Sequence, residues 1–121
     1  MNAGDTFFFS DHLWMVISEP TEDEENILVV NFNTWKPWGD PACVLNAGEH
    51  PFIRHRTYVN YRDALVMSRD ELAMLLRLNQ AAPRAPLSEP LLKKIRERAG
   101  EADIAIEHFN ILVNQGLVEA P

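Results

Sequence analysis

The residues best suited to chemistry lie between Ile27 and Asp63, where hydroxyl, amide, imidazole, guanidinium and aromatic side chains occur close together. The segment from Pro51 to Arg62 holds three arginines and one histidine and contains no acidic residue. Guanidinium groups bind phosphate, aromatic rings stack on bases, and imidazole exchanges protons near neutral pH. This mixture of side chains favours a site for an anionic ligand.

The charge of the chain is unevenly distributed. The formal net charge is −7, and the first 34 residues carry seven acids and no lysine or arginine. Residues 35–84 carry seven basic and five acidic residues, a net charge of +2. An acidic protein is not expected to coat nucleic acid without sequence preference, because that binding depends on many phosphate contacts. A small basic site on an acidic body is more consistent with a short anionic ligand or an acidic partner.

Length and composition indicate one globular domain spanning residues 1–121, with 46% apolar and 24% charged residues. No apolar run approaches the roughly 18 residues that a membrane span requires, so no membrane partner is expected. The N-terminus lacks the cationic region of a signal peptide. Cys43 is the single cysteine and cannot form an internal disulfide, which favours a reducing, cytoplasmic location.

The first two thirds of the chain show the short β-branched and aromatic runs that predict strands. Ile27–Thr34 has apolar residues at both alternate positions, which favours a central strand covered on both faces. Trp35–Pro41 is predicted to be a loop because it contains two prolines and a glycine. The acidic run Glu22–Glu25 is predicted to form the solvated tip of a hairpin. The other predicted strands are Asp5–Phe9, Leu13–Ser18, Ala42–Leu45, Phe52–Arg54, Thr57–Asn60 and Ala64–Met67.

Helical patterns begin at Ser68, where Ser68 and Glu71 form a capping box before a leucine stripe. A stiff connector over residues 81–86 precedes a second helix, which starts at Ser88 and ends at Gly100. A third helix is predicted over residues 103–115. The expected fold is therefore mainly β with C-terminal helices (α+β). It comprises a small β-barrel over about residues 4–67 and a helical extension of two or three helices over about residues 68–118.

Four short motifs carry a resemblance to a known family. They are Gly4-Asp5, Trp14–Ser18, Leu28–Thr34, and the run from Arg56–Asn60 through Ala64–Met67 into Ser68–Leu72. In this order they resemble the PemK/MazF family of toxin-like proteins, whose fold is an SH3-like barrel with added helices. The resemblance covers about residues 4–78 and leaves the last forty-odd residues without a counterpart.

The resemblance implies a metal-independent endoribonuclease acting on single-stranded RNA. Family members use a threonine at the end of the third strand, which Thr34 matches, and an arginine before the second strand. That arginine is absent here, so we expect an altered or degenerate endoribonuclease or an RNA-binding protein. His12 is the nearest substitute that can move a proton. Arg54, Arg56 and Arg62 are candidates for binding the phosphate. The family also implies a homodimer and an antitoxin-like partner.

Each of these residues also has a simpler interpretation. Trp35 and Trp38 either stack on bases or have a structural role, in which they close the end of a barrel or anchor a subunit interface. His50 is expected to bond a backbone carbonyl and fix the chain before Pro51. Cys43 lies in an apolar run and is expected to be an inert core thiol.

The competing hypothesis is a non-catalytic protein- or ligand-binding module that acts as a homo-oligomer, because small barrels host many functions. The apolar residues near both ends of the chain are candidates for the subunit interface: Phe7, Phe8, Phe9, Leu117 and Val118. The spacing of Cys43, His50 and His55 is wider than zinc ligand pairs favour, so no metal or cofactor is expected.

Overall fold

A computed structural model describes residues 1–20 and 25–120. The described chain is a mixed α+β fold, which confirms the expected class, with its helices towards the C-terminus. A short 3₁₀ turn at Ala99–Glu101 follows the second helix. In chain order the elements are β1 (Thr6–Phe9), β2 (His12–Val16), β3 (Asn26–Thr34), β4 (Val44–Leu45), β5 (Thr57–Ser68), α1 (Arg69–Arg77), β6 (Ala82–Arg84), α2 (Glu89–Arg98) and α3 (Ile106–Asn114).

The strands form one antiparallel sheet in the order β4-β5-β3-β2-β1-β6. The long strands β3 and β5 lie at its centre, and β4 and β6 lie at its two edges. The pairings within the described ranges include none between β4 and β6. These pairings establish an antiparallel sheet, and they do not show the expected closure into a barrel.

Two tight connections shape the β1–β2–β3 meander. Ser10 and Asp11 join β1 to β2 with positive φ angles of 51° and 65°, which matches the right-handed twist of a two-residue hairpin. β2 and β3 pair antiparallel, as the hairpin prediction requires. Most of the predicted acidic tip, residues 22–24, lies outside the described residues.

Each face of the sheet contributes to its own apolar cluster. The larger cluster joins alternate residues of β2, β3 and β5, such as Met15, Val30 and Val59, to α2 and α3. The smaller one joins the opposite face, including Trp14 and Val29, to α1. Successive side chains of β3 contact the two clusters in turn, so residues at both parities are apolar, as predicted for a strand covered on both faces.

Three local predictions differ from the structure. The two strands predicted over residues 57–60 and 64–67 are one strand, β5, whose register against β3 shifts opposite Val29–Asn31. The predicted strand Phe52–Arg54 is a turn and loop, since the His50 imidazole accepts a hydrogen bond from the Phe52 amide. The connector at residues 81–86 contains β6, where Pro83 is tolerated because the strand lies at a sheet edge.

The predicted starts of the first two helices are confirmed by their caps, whereas the third helix begins at Ile106, three residues after its predicted start and without a side-chain cap. The Ser68 hydroxyl accepts a hydrogen bond from the Glu71 amide at 2.9 Å, and the Ser88 hydroxyl accepts one from the Leu91 amide at 3.2 Å. At the far end of α2, the buried Tyr61 hydroxyl of β5 donates to the Ile95 carbonyl at 2.6 Å. This bond ties the helix to the sheet through a carbonyl near the helix end.

Within the described residues, none of the helices has the length and apolar character required to cross a lipid bilayer.

Candidate functional site

Thr34 and His55 form the central pair of the candidate site. Thr34 ends β3 and pairs with Thr57 at the start of β5, so the chain just before Thr57 lies beside the Thr34 side chain. The distance from Thr34 Oγ1 to His55 Nε2 is 2.9 Å, and both residues are exposed. The buried Thr57 hydroxyl donates to the His55 carbonyl at 2.9 Å, which fixes the histidine backbone. A hydroxyl and an imidazole are thus held together at the surface.

Arginine and tryptophan flank this pair. The Arg56 guanidinium lies 5.2 Å from the centre of the Trp35 ring, within the range of a cation–π contact. The Trp35 amide donates to the Arg56 carbonyl at 3.0 Å, and its ring meets Tyr58 edge-on at 5.9 Å. Arg54 is exposed on the same loop. We call Thr34, Trp35, Arg54, His55 and Arg56 the cationic surface.

His12 lies elsewhere, so the expected meeting of His12 with Thr34 is not what the structure shows. Trp14 pairs with Asn31, and extending that register by two residues places His12 opposite Asn33. Side chains alternate between the faces of a strand, so His12 and Thr34 belong to opposite faces of the sheet. The imidazole in contact with the Thr34 hydroxyl is that of His55.

A groove adjoins the cationic surface on the side of β6. It has a volume of about 580 Å³, and its lining is mainly apolar. His55 belongs both to the groove and to the pair with Thr34. The groove residues are His50, Pro51, Phe52, Arg54, His55, Arg84 and Ala85.

His50 has the structural role that the sequence predicted. It is buried, and its Nε2 lies 2.8 Å from the Ala85 carbonyl oxygen, to which it donates. Its Nδ1 accepts a hydrogen bond from the Phe52 amide at 3.1 Å. Because Nδ1 accepts, Nε2 carries the hydrogen, and the imidazole joins the loop before β5 to the chain after β6.

Arg62 and Trp38 line a different hollow of about 620 Å³. Four carboxylates surround it, those of Asp40, Asp63, Glu101 and Asp103. Because these acids offset the charge of Arg62, a phosphate is not favoured there. Trp38 is 81% exposed at the rim of this hollow, whereas Trp35 packs on Tyr58 beside Thr34. Arg62 and Trp38 thus line a hollow that does not include the other three predicted ligand-binding residues, although Tyr58 belongs to its lining and contacts Trp35.

Cys43 is fully buried, as expected for a core thiol. Burial is the main reason that the pKa of its thiol is raised, which disfavours the thiolate that a nucleophile needs. In the part of the chain that the structure describes, no group of three or more His, Cys, Asp or Glu side chains is arranged to hold a metal ion.

Two residues of this region were not predicted as site residues. His55 was considered as a metal ligand, yet its place just before Thr57, the partner of Thr34, is a usable signal once β3 and β5 are paired. Arg84 lies between the connector prolines Pro83 and Pro86, and only the pairing of β6 with β1 brings it to the groove. No local pattern contains that information.

Comparison of the chain with protein-family models, with curated proteins and with solved structures found no match. The function is therefore inferred from the geometry of these surfaces.

Proposed function

We propose that the protein binds single-stranded RNA on the cationic surface and cleaves it without a metal ion, with His55 as the base. The observation that carries this proposal is the 2.9 Å contact between Thr34 Oγ1 and His55 Nε2, flanked by the guanidinium groups of Arg54 and Arg56. The sequence resemblance to the PemK/MazF family supports the same substrate class through Thr34.

Binding is supported by charge and by an aromatic platform. In the described chain, neither Arg54 nor Arg56 is in an ion pair with a carboxylate, so both guanidinium groups are available to phosphate. The Arg56 guanidinium lies over the Trp35 ring. Aromatic and guanidinium planes stack on unpaired bases, so this arrangement favours single-stranded RNA. A duplex has no splayed bases to offer this surface.

The proposed reaction uses one imidazole. His55 takes the proton of a ribose 2′-hydroxyl, the 2′ oxygen attacks the adjacent phosphorus, and the bond to the 5′ oxygen breaks. Water protonates the departing 5′ oxygen, and the imidazolium returns its proton to solvent. The products are a 2′,3′-cyclic phosphate and a 5′-hydroxyl. Thr34 orients the imidazole, and the arginines stabilise the negative charge that develops on phosphorus oxygens.

The test is cleavage of mixed-sequence single-stranded RNA in the presence of EDTA, followed on denaturing gels. His55→Ala removes the base and is expected to lower the cleavage rate by about 10²–10⁴-fold. Thr34→Val removes the hydroxyl that orients it and lowers the rate less. His12→Ala is the matched control, since that imidazole lies on the opposite face, and it is expected to leave the rate unchanged.

Two outcomes would overturn parts of this proposal. If RNA binds but no cleavage occurs, or if His55→Ala cleaves as fast as the unaltered protein, the catalytic role of His55 is wrong. If single-stranded RNA does not bind at all, the substrate class itself is wrong. Binding is measured separately by fluorescence anisotropy so that these outcomes remain distinct.

A homo-oligomeric binding module is a second candidate, favoured by a separate observation. Leu65 and Val66 are adjacent on β5 and are 38% and 40% exposed. β4 pairs with β5 only at Thr57 and Tyr58, so within the described residues the rest of that strand edge has no paired strand. An exposed edge strand can pair with a second copy. Sedimentation of the protein and of a Val66→Lys variant tests this, and a monomer in both cases would exclude it.

The end residues first considered for such an interface are packed within the chain. Phe7 is buried in the smaller cluster, with Phe9 packed against it. Leu117 and Val118 pack against the larger one. Phe7 is buried, whereas Phe8, Phe9, Leu117 and Val118 are partly exposed, so their part in a subunit interface stays a prediction.

A further inference from the structure

The groove beside the cationic surface has an apolar interior and basic residues at its sides. Ligand sites are commonly concave and mainly apolar, with a few placed polar groups. We propose that this groove holds one base of the bound RNA, next to the phosphate at Thr34 and His55, and that Phe52 makes the protein select RNA by the size of that base. This inference rests on the proposed function.

Phe52 supplies a surface on which a base can stack. Its side chain is 41% exposed although it is large and apolar. The Phe8 ring supports it from behind at a centroid distance of 6.1 Å, and the Arg84 guanidinium lies 5.6 Å from the Phe8 ring. Phe52 is therefore held by neighbouring residues while part of it stays open to the groove.

The charges around the groove are all of one sign. Arg54 and Arg84 line it, and no carboxylate does. The nearby Glu49 is paired with Lys94 at 3.6 Å and accepts a hydrogen bond from the Asn46 amide. An anionic ligand with an apolar part fits this arrangement, and a nucleotide has both. The acid-lined hollow that contains Trp38 does not offer this combination.

The groove is continuous with the proposed reaction site. His55 lines the groove and contacts the Thr34 hydroxyl at 2.9 Å. A base that enters the groove therefore brings its own phosphate to the pair. This continuity distinguishes the groove from a separate surface pocket.

Three polar groups that line the groove, the Ala85 carbonyl and the two ring nitrogens of His50, are already hydrogen-bonded. The Ala85 carbonyl accepts hydrogen bonds from His50 Nε2 and from the Thr6 hydroxyl, both at 2.8 Å. The other His50 nitrogen accepts from the Phe52 amide. Because these three groups are already engaged, we assign the selection to stacking area, which is greater for purines than for pyrimidines.

The experiment compares the affinities of short oligoadenylate and oligouridylate of equal length by fluorescence anisotropy. The unaltered protein is expected to bind oligoadenylate more tightly. Phe52→Ala is expected to weaken oligoadenylate binding by about 5- to 150-fold, the range for one stacked base, and to remove the preference. Phe52→Trp is expected to retain it. Met74→Ala is the matched control, because Met74 is an exposed apolar residue on α1.

The possible failures are distinguishable. If both oligonucleotides bind but Phe52→Ala leaves their affinity ratio unchanged, the groove is not the base site and the proposed function stands. If inorganic phosphate competes as well as oligoadenylate does, the groove binds an anion only and the inference is wrong. If neither oligonucleotide binds, the proposed function fails with it. Thermal unfolding of each variant shows whether a loss of binding is a loss of fold.

Discussion

The Arg56→Gln variant gives the sharpest quantitative prediction for RNA binding. Arg56 is exposed, its guanidinium lies 5.2 Å from the Trp35 ring centre, and it makes no ion pair within the described residues. Glutamine keeps much of the side-chain length and removes the charge. The variant should therefore lose one phosphate contact while keeping the fold.

The magnitude follows from counterion release. Three arginines along the cationic surface and the groove make no ion pair within the described residues: Arg54, Arg56 and Arg84. For single strands each phosphate contact contributes about −0.7 to the slope of log K against log salt, so three contacts give about −2.1. Raising the salt from about 50 to about 200 mM should then weaken binding by about 18-fold, and by about 7-fold in Arg56→Gln.

The assay is fluorescence anisotropy of a labelled single-stranded RNA over that range of salt. Arg69→Gln is the matched control, because Arg69 lies far from the cationic surface. It follows Ser68, which pairs with Asn26 at the end of β3 opposite to Thr34. The control should keep the slope of the unaltered protein. An unchanged slope in Arg56→Gln, or an equal decrease in both variants, would refute the assignment of Arg56 to a phosphate.

Three further predictions concern the framework of the site. Tyr61→Phe leaves the buried Ile95 carbonyl without its hydroxyl donor, so the free energy of unfolding should fall by about 1–3 kcal/mol in urea titrations, whereas Tyr58→Phe should change it little. Burial raises the pKa of the Tyr61 phenol and of the Cys43 thiol, so both groups lose their protons more readily in the unfolded chain. The stability that they contribute should be intact below about pH 8 and should fall above about pH 9–10, by about 1.4 kcal/mol per pH unit for each group. An alkaline denaturation curve of Tyr61→Phe that matches that of the unaltered protein would contradict this. In Gly39→Ala the new Cβ would lie 2.9 Å from the Tyr58 ring, so the ring must shift. We expect the free energy of unfolding to fall by about 1–3 kcal/mol and the tryptophan fluorescence to change. Unchanged values of both would contradict the packing described.

Local signals account for the parts of the fold that the sequence predicted. The serines at residues 68 and 88 carry their cap chemistry in the adjacent sequence, and the helices begin where they indicate. The apolar residues at both parities of Ile27–Thr34 indicate two buried faces directly. These features depend on neighbours along the chain, so one sequence is enough to find them.

The features that were missed depend on residues far apart in sequence. Thr34 was identified through a family motif, but its imidazole partner depends on the register between β3 and β5, which places His55 rather than His12 beside it. The connector prolines indicated irregular chain, and only the free edge of β1 turns residues 82–84 into a strand. The candidate site is thus more a product of strand pairing than of local composition.

The positions of these residues along the chain also limit the order in which the surface can be assembled during synthesis. The hydrogen-bonded residues His50 and Ala85 are separated by 35 positions, whereas Thr34 and His55 are separated by 21. Contacts between more distant positions close larger loops and cost more chain entropy. A growing chain that has reached α1 already contains Thr34 and His55, but β6 must emerge before Arg84 and Ala85 can complete the groove. The pair can therefore exist in the nascent protein before the groove does.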